Sequence, residues 1–200
     1  MAPVAFAFEC GLAVATAFLG WLLEISPYRA FHLPPNRWGS LAVIGVLGAV
    51  PPSVFLLAFL RTRAAWARAL RQEIERRVLP LFALSRPSEL VAVSLAAGVA
   101  EELLFRGLIQ DGIHQTYPGL VGAGVSIGVA ALLFGVLHWV TVAYAVMATG
   151  MGIYLGVLFW VSDSLIVPIL AHGIYDVVAF FWLLRGRGPS PPSAPSDFPS

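Results

Sequence analysis

The stretch AEELLFRG, residues 100–107, places two adjacent carboxylates and an arginine in a chain that is otherwise apolar over most of its length. A charged side chain at the bilayer centre costs about 2.5–3.5 kcal/mol on insertion scales, and such residues mark functional sites. On a helix, Glu102 and Arg106 share one face and can pair, whereas Glu101 lies about 100° away. The spacing predicts that Arg106 neutralises Glu102 and leaves Glu101 free for chemistry. A purely structural ion-pair cluster is the alternative.

The composition around this stretch is that of a polytopic membrane protein. Of the 200 residues, 58% are hydrophobic and 12% are charged, and the mean hydropathy is +0.83, which excludes a soluble domain. The net charge of +1 indicates no nucleic-acid surface. The single cysteine, Cys10, excludes an internal disulfide and a cysteine-based zinc site, and we interpret it as a small buried hydrophobe.

Six apolar segments are long enough to cross a bilayer, which takes about 20 residues. The sequence therefore predicts an all-α bundle of about six transmembrane helices within a single membrane domain, residues 1–187. The tail, residues 188–200, is rich in proline and serine and is predicted to be disordered. The predicted spans are residues 2–23, 41–60, 88 to about 107–112, 120–139, 142–161 and 165–184.

Two details qualify the first two spans. Glu9 and Glu24 lie towards the ends of the first span, where a carboxylate can reach the interface, and we interpret both as structural. Pro51 and Pro52 lie in the middle of the second span and are predicted to kink or break it.

Arginines and apolar residues alternate at helical spacing between residues 61 and 86. This pattern predicts an interfacial amphipathic helix at about residues 64–84 that lies on the membrane surface, with a solvated arginine-rich face as the overlapping alternative. No nucleic-acid-binding fold accompanies the charge. Outside the spans, nine arginines lie on the same side of the membrane as this helix. Two arginines, Arg29 and Arg37, lie on the opposite side. The bias predicts that both termini are cytoplasmic.

Two later spans also contain polar residues, in the i, i+4 pairs Phe134-x-x-x-His138 and His172-x-x-x-Asp176. Each pair projects from one helix face. Because none of these polar groups is suited to lipid, we expect them to converge with the two glutamates in one water-accessible pocket.

Such a pocket suits the hydrolysis of an amide. A carboxylate can act as the general base that takes a proton from water. One imidazole can orient that water, and a second, with another donor, can hydrogen-bond the oxyanion that forms on the carbonyl. No Gly-x-Ser-x-Gly nucleophile signature competes with this interpretation.

The three motifs, in this order on successive apolar segments, resemble the CPBP family. Its members are intramembrane glutamic proteases typified by the CAAX prenyl endopeptidase of the Ras-converting type, with many bacterial members of the Abi group. The resemblance covers roughly residues 85–185. It implies an endopeptidase of the bacterial inner membrane that acts on a peptide or a membrane protein among lipids, without a metal or another cofactor. The residues that it assigns to the site are Glu101, Glu102, Arg106, Phe134, His138, His172 and Asp176.

The resemblance also implies roles for these residues. Glu101 would be the base that activates water, with His138 assisting it, and Glu102 would pair with Arg106 to hold the site in shape. His172 and the residue at 176 would form the oxyanion hole.

Asp176 departs from the family pattern, which has asparagine at this position in the prenyl proteases. An ionised aspartate cannot donate a hydrogen bond to an oxyanion. Asp176 is therefore either a protonated donor, or a partner that holds His172 in its tautomer, or the sign of a changed activity. Prenylated CAAX substrates are accordingly not implied.

Two other classes of protein remain open. In a metal-dependent hydrolase, Glu101, His138, His172 and Asp176 would be competent zinc ligands, although the motif His-Glu-x-x-His is absent. In a membrane scaffold or immunity protein, the same cluster would bind a partner without catalysis. The sequence specifies neither the substrate nor the oligomeric state.

Overall fold

Every regular element in the described part of the chain is a helix. The computed structural model describes residues 1–31 and 35–185, so the predicted disordered tail, residues 188–200, lies outside the described residues. Within them no strand occurs, as the all-α prediction requires. The helices are α1 Ala2–Leu22, α2 Trp38–Gly48, α3 Val50–Arg61, α4 Ala65–Arg77, α5 Leu79–Phe82, α6 Pro87–Glu102, α7 Asp111–Thr116, α8 Gly119–Leu137, α9 Val142–Ser162 and α10 Ile166–Leu184.

Three shorter or wider helical segments complete the described fold. Two 3-10 turns, Arg29–Phe31 and Pro35–Arg37, lie between α1 and α2. A π-helix, Leu103–Gln110, joins α6 to α7 without a break. Isolated π-turns are rare and occur frequently at functional sites. Here the π-helix begins directly after the two glutamates.

Five helical segments are long and apolar enough to cross a membrane, namely α1, the combined segment Trp38–Arg61, α8, α9 and α10. The remaining predicted span corresponds to α6 with the π-helix, which carries Glu101, Glu102 and Arg106 and is therefore less apolar. The protein is an integral membrane protein with a polytopic helix bundle, as predicted.

The second span is broken at its two prolines, as predicted. α2 ends at Gly48, and Pro51 and Pro52 occupy the first turn of α3, where a missing N–H costs little. Pro52 cannot donate to the carbonyl of Gly48, four residues earlier. The hydroxyl of Tyr154 on α9 donates to that carbonyl instead, over 2.7 Å, so a neighbouring helix satisfies the group that proline leaves free.

The predicted amphipathic helix is present but is divided in two. α4 ends at Arg77, and Pro80 lies in the first turn of the short α5. Leu70 and Ile74 are buried against residues of α3 and α10, so much of the apolar face contacts the bundle. Arg71 donates to the carbonyls of Phe59 and Thr62 at the end of α3, over 2.5 and 2.9 Å, and so satisfies carbonyls that a helix end leaves unpaired.

α6 lies between α1 and α10, in contact with both. At its crossing with α10, a Cβ on Gly98 would come 2.9 Å from the backbone nitrogen of Gly173. Only glycine permits this approach of two helix backbones. The close crossing brings the end of α6, with its two glutamates, next to His172 on α10.

Candidate active site

Glu102 and Arg106 form the ion pair that their spacing predicts, and both side chains are fully buried. Arg106 Nη1 donates to Glu102 Oε1 over 2.9 Å, and Nη2 donates to the carbonyl of Gly152 on α9 over 2.7 Å. An ion pair away from water needs such additional hydrogen bonds to offset its desolvation. The pair therefore also connects the π-helix to α9.

Phe134 lies at the centre of the site, with 3% of its surface exposed. The guanidinium of Arg106 lies over its ring at 5.3 Å, a distance at which a cation is attracted to an aromatic face. Its ring stacks on that of His138 at 4.2 Å and meets the ring of His172 edge-on at 5.8 Å. Phe134 thus contacts the buried cation and both imidazoles, and its ring packs against both of theirs.

His172 is held by Glu102. Its Nδ1 lies 2.9 Å from Glu102 Oε1, and because a carboxylate oxygen only accepts, Nδ1 carries the hydrogen. Its Nε2 lies 3.5 Å from Oδ2 of Asp176 and 4.0 Å from Oε2 of Glu101. The tautomer of His172 is therefore fixed by Glu102 rather than by Asp176.

His138 ends α8 and is oriented by its own helix. Its Nδ1 lies 2.8 Å from the carbonyl oxygen of Phe134, four residues earlier. A carbonyl only accepts, so Nδ1 is the protonated nitrogen. When the ring is neutral, the lone pair of Nε2 faces Oε2 of Glu101, 3.6 Å away.

Glu101 is the carboxylate that the arginine does not neutralise. Its side chain is 13% exposed, and its Oε2 faces Nε2 of both His138 and His172, at 3.6 and 4.0 Å. These distances exceed those of direct hydrogen bonds and fit contacts bridged through a water molecule. The structure thus brings together all four predicted catalytic residues, Asp176 included.

A cavity of about 570 Å³ opens beside this cluster. Pockets of several hundred Å³ with few polar groups are typical of ligand sites. The amphipathic helix contributes Ile74 to the wall, so this region of the chain also shapes the site. The polar residues that line the cavity are His138, His172, Asp176, Tyr144, Tyr154 and Tyr175, and the apolar lining includes Phe55, Leu56, Phe59, Met147 and Met151.

Two interpretations of residues on α1 are wrong. Glu9 is 8% exposed and its Oε2 is buried without a hydrogen-bond partner among the described residues, whereas we expected an interfacial carboxylate. Cys10 is exposed rather than buried. α1 is apolar on all sides, so its sequence does not reveal which face contacts α6. The position of Glu9, within an apolar span, was the available signal.

Gln110 is a further buried polar residue that the sequence analysis missed. It is 2% exposed, and its Nε2 donates to the carbonyl of Gly156 over 2.9 Å. Arg106, four residues earlier, donates in the same way to the carbonyl of Gly152, four residues before Gly156. The motif Gly152-x-x-x-Gly156 on α9 is the signal for this close approach. A Cβ on Gly156 would lie 2.9 Å from Oε1 of Gln110.

Within residues 1–31 and 35–185, no three or more His, Cys, Asp or Glu side chains are arranged so that they could hold a metal ion. The four candidate zinc ligands named above therefore converge without forming a metal-binding geometry.

Residues 83–178 match the sequence profile of the type II CAAX prenyl endopeptidases, Rce1-like. These residues belong to the Rce1-like family. The Rce1-like region includes all seven residues that the motifs assigned to the site, and it supports an endopeptidase activity within the membrane. No curated protein and no solved structure matches the chain.

Proposed function

We propose that this protein is an intramembrane endopeptidase in which Glu101 activates the water that hydrolyses a peptide bond. The observation that carries the proposal is the position of Glu101 Oε2, which is free of Arg106 and faces the Nε2 atoms of two imidazoles. A general base must lie within reach of the proton that it abstracts, directly or through one water. Oε2 meets this requirement for a water held between the carboxylate and His138.

The proposed reaction begins with that water. One of its hydrogens points to Glu101 Oε2 and the other to the lone pair of His138 Nε2, which leaves an oxygen lone pair for the carbonyl carbon. As the water oxygen attacks, its proton passes to Glu101 and negative charge develops on the carbonyl oxygen. The C–N bond then breaks, and Glu101 returns the proton to the departing amine nitrogen.

His172 Nε2 and Asp176 are proposed to bind the oxyanion. Because Nδ1 of His172 already donates to Glu102, Nε2 can donate only when the ring carries both protons. With Arg106 and His172 positive, and Glu101 and Glu102 negative, charges in the site balance if Asp176 is a neutral carboxylic acid. A balanced site avoids an uncompensated buried charge, and the acid form of Asp176 has the O–H donor that this role needs.

We also propose a membrane, an orientation and a class of substrate for the enzyme. We place it in a bacterial inner membrane with both termini cytoplasmic, surrounded by lipids, with a peptide or a membrane-protein segment as substrate. The mainly apolar lining of the cavity supports an apolar substrate segment.

The test compares purified, reconstituted wild type with Glu101→Gln. The probes are an internally quenched farnesylated peptide that ends in a CAAX sequence and its unprenylated twin. If Glu101 is the base, we expect Glu101→Gln to lower cleavage at least about a hundredfold without changing the thermal unfolding midpoint. Glu24→Gln, at an exposed carboxylate, is the matched control. Full activity of Glu101→Gln would refute the assignment.

Two additions to this experiment separate the alternatives. Activity that survives a chelator, in protein without bound metal, contradicts a metal-dependent hydrolase. Comparison of membrane-associated peptides in cells that carry wild type or Glu101→Gln reveals the natural substrate. A protein that acts only as a scaffold leaves these peptides unchanged.

A further inference from the structure

Exposed arginines of α3, α4, the start of α6 and the end of α10 form one basic surface. Residues 61–89 contain seven arginines, and Arg185 follows the last residue of α10. α10 reaches this part of the bundle, because Phe180 packs on Phe82 with ring centroids 4.8 Å apart and Leu184 packs against the buried cluster of α3 and α4. The exposed members, called the arginine surface below, are Arg61, Arg63, Arg68, Arg76, Arg77, Arg86 and Arg185.

The positive charge of the arginine surface is not balanced by acidic residues. The stretch that carries most of it has only three glutamates, and one of them, Glu73, is the partner of both Arg76 and Arg77. At the other end of the span Trp38–Arg61, residues 23–37 contain two arginines and one glutamate. Positive charge is therefore concentrated at one end of the bundle.

This surface lies where a membrane meets water. α3 ends at Arg61 and completes a segment long and apolar enough to cross a bilayer, so Arg61 and Arg63 lie at the level of the lipid headgroups. Large apolar side chains are exposed on the same stretch, namely Trp66 at 55%, Leu81 at 46% and Leu84 at 100%. Arginine together with exposed tryptophan and leucine is the composition of a segment that binds a membrane surface. A partner with both an acidic group and an apolar chain fits it better than a nucleic acid does.

The helices that carry the arginine surface also form a wall of the site. Ile74 on α4, and Val78 and Leu79 after it, line the cavity beside the proposed catalytic residues. α4 has 13 residues and α5 has four, and helices this short are marginal on their own. Their position therefore depends on what contacts them, on the outer face as well as on the face that packs on the bundle.

We propose that the arginine surface binds the headgroups of anionic phospholipids, and that this binding holds α4 and α5 in place as a wall of the cavity. Each arginine near an anionic membrane surface strengthens binding about fivefold. The binding of lipid is independent of the proposed function, whereas its effect on cleavage rests on that function.

The binding test is hydrogen exchange, which requires no activity. Protein in micelles of a neutral detergent is titrated with dioleoylphosphatidylglycerol or with dioleoylphosphatidylcholine, which have the same acyl chains and different headgroups. We expect only the anionic lipid to slow backbone exchange in residues 65–82. In Arg63→Gln with Arg68→Gln, the lipid concentration at half of the full effect should rise about 25-fold.

Two variants control this measurement. Arg63→Lys with Arg68→Lys keeps both charges and should behave like wild type. Arg37→Gln removes an exposed arginine at the other end of the span and should not change the titration. Equal slowing by the two lipids, or an unchanged midpoint in the glutamine double variant, would overturn the proposal. The same slowing by inorganic phosphate or by an oligonucleotide, neither of which has an acyl chain, would also overturn it.

The effect on the site is measured by cleavage of the quenched peptide in vesicles. We expect cleavage by wild type to be at least about fivefold faster in an equimolar mixture of the two lipids than in phosphatidylcholine alone, the contribution of a single arginine. In Arg63→Gln with Arg68→Gln this difference should be lost. If the anionic lipid slows exchange in α4 without raising cleavage, its role in holding the cavity wall is refuted.

The failure of this proposal is distinguishable from the failure of the proposed function. If Glu101→Gln retains full activity, the proposed function fails, and slower exchange of α4 with the anionic lipid in that variant still supports lipid binding. If Glu101→Gln is inactive but the anionic lipid changes neither exchange nor wild-type cleavage, this proposal is overturned and the proposed function stands.

Discussion

At the scale of single residues, the site is organised by Oε1 of Glu102, which accepts hydrogen bonds from both Arg106 and His172. This one atom is the partner of the arginine and keeps a hydrogen on Nδ1 of the imidazole. The i, i+4 spacing predicted the contact with Arg106, because that contact is made within one helix. The contact with His172 joins residues 70 positions apart, and no local pattern predicts it.

Glu102→Gln should therefore damage stability more than chemistry. The amide oxygen can still accept from His172, but Arg106 becomes a buried cation without a counter-charge, which costs about 3–5 kcal/mol. Thermal and denaturant unfolding of the detergent-solubilised protein measure this loss. The double variant Glu102→Leu with Arg106→Leu removes both charges and should be more stable than the single variant. Equal destabilisation by both would contradict a charge-based explanation.

At Asp176 the family motif and this sequence differ, and here a substitution should affect activity rather than stability. If Asp176 donates as an acid, Asp176→Asn should preserve or raise activity, and most clearly at high pH, because an amide donates at every pH. Since Glu102 already accepts from Nδ1 of His172, asparagine should not disturb the orientation of the ring. The pH–rate profiles of wild type and variant measure the effect. Loss of activity at every pH would exclude the donor role.

At the scale of elements, the π-helix is held from outside by the segment that follows α1. A Cβ on Gly107 would lie 2.3 Å from the carbonyl oxygen of Pro27. Arg29 forms a bidentate ion pair with Asp111, the first residue of α7, directly after the π-helix. These hydrogen bonds to Asp111 raise the pKa of Arg29 above its ordinary value.

Gly107→Ala should displace this segment or shift the π-helix, with a loss of about 1–3 kcal/mol in stability and a parallel loss of activity, because Arg106 is the adjacent residue. Gly124→Ala and Gly128→Ala are matched controls. Both glycines lie inside α8, where nothing is within 4 Å of an added Cβ, and alanine there should be neutral or stabilising by up to about 1 kcal/mol. Unfolding midpoints of the three variants decide between local crowding and a general effect of alanine.

The sequence predicted these elements unequally. Pro51 and Pro52 predicted the break between α2 and α3. The break between α4 and α5 was not predicted, although Pro80 lies next to it. The π-helix has no sequence signature in this stretch. It follows from the packing of Gly107 against Pro27 and of Arg106 and Gln110 against α9, which are contacts between distant parts of the chain.

At the scale of the whole molecule, apolar length predicted the membrane bundle, and the ordered motifs predicted which helices meet. Composition could not predict which side of an amphipathic helix contacts protein, since the buried face of α4 is as apolar as a lipid-facing one. It also could not reveal Glu9, because the packing of α1 on α6 leaves no periodicity in either sequence. In both cases the sequence predicted that a helix forms but not which other helix it packs against.

The orientation of the bundle remains a prediction from the arginine bias, and it is testable because Cys10 is the single cysteine. In a Cys10→Ser background, Arg68→Cys on α4 and Tyr117→Cys between α7 and α8 introduce thiols at two exposed positions. Only α6 with the π-helix separates them as a predicted span, so they should lie on opposite sides. A membrane-impermeant maleimide should label Arg68→Cys in inside-out vesicles and Tyr117→Cys in right-side-out vesicles. Labelling of both from one side would mean that Pro87–Gln110 does not cross the membrane, and every later span would then be inverted.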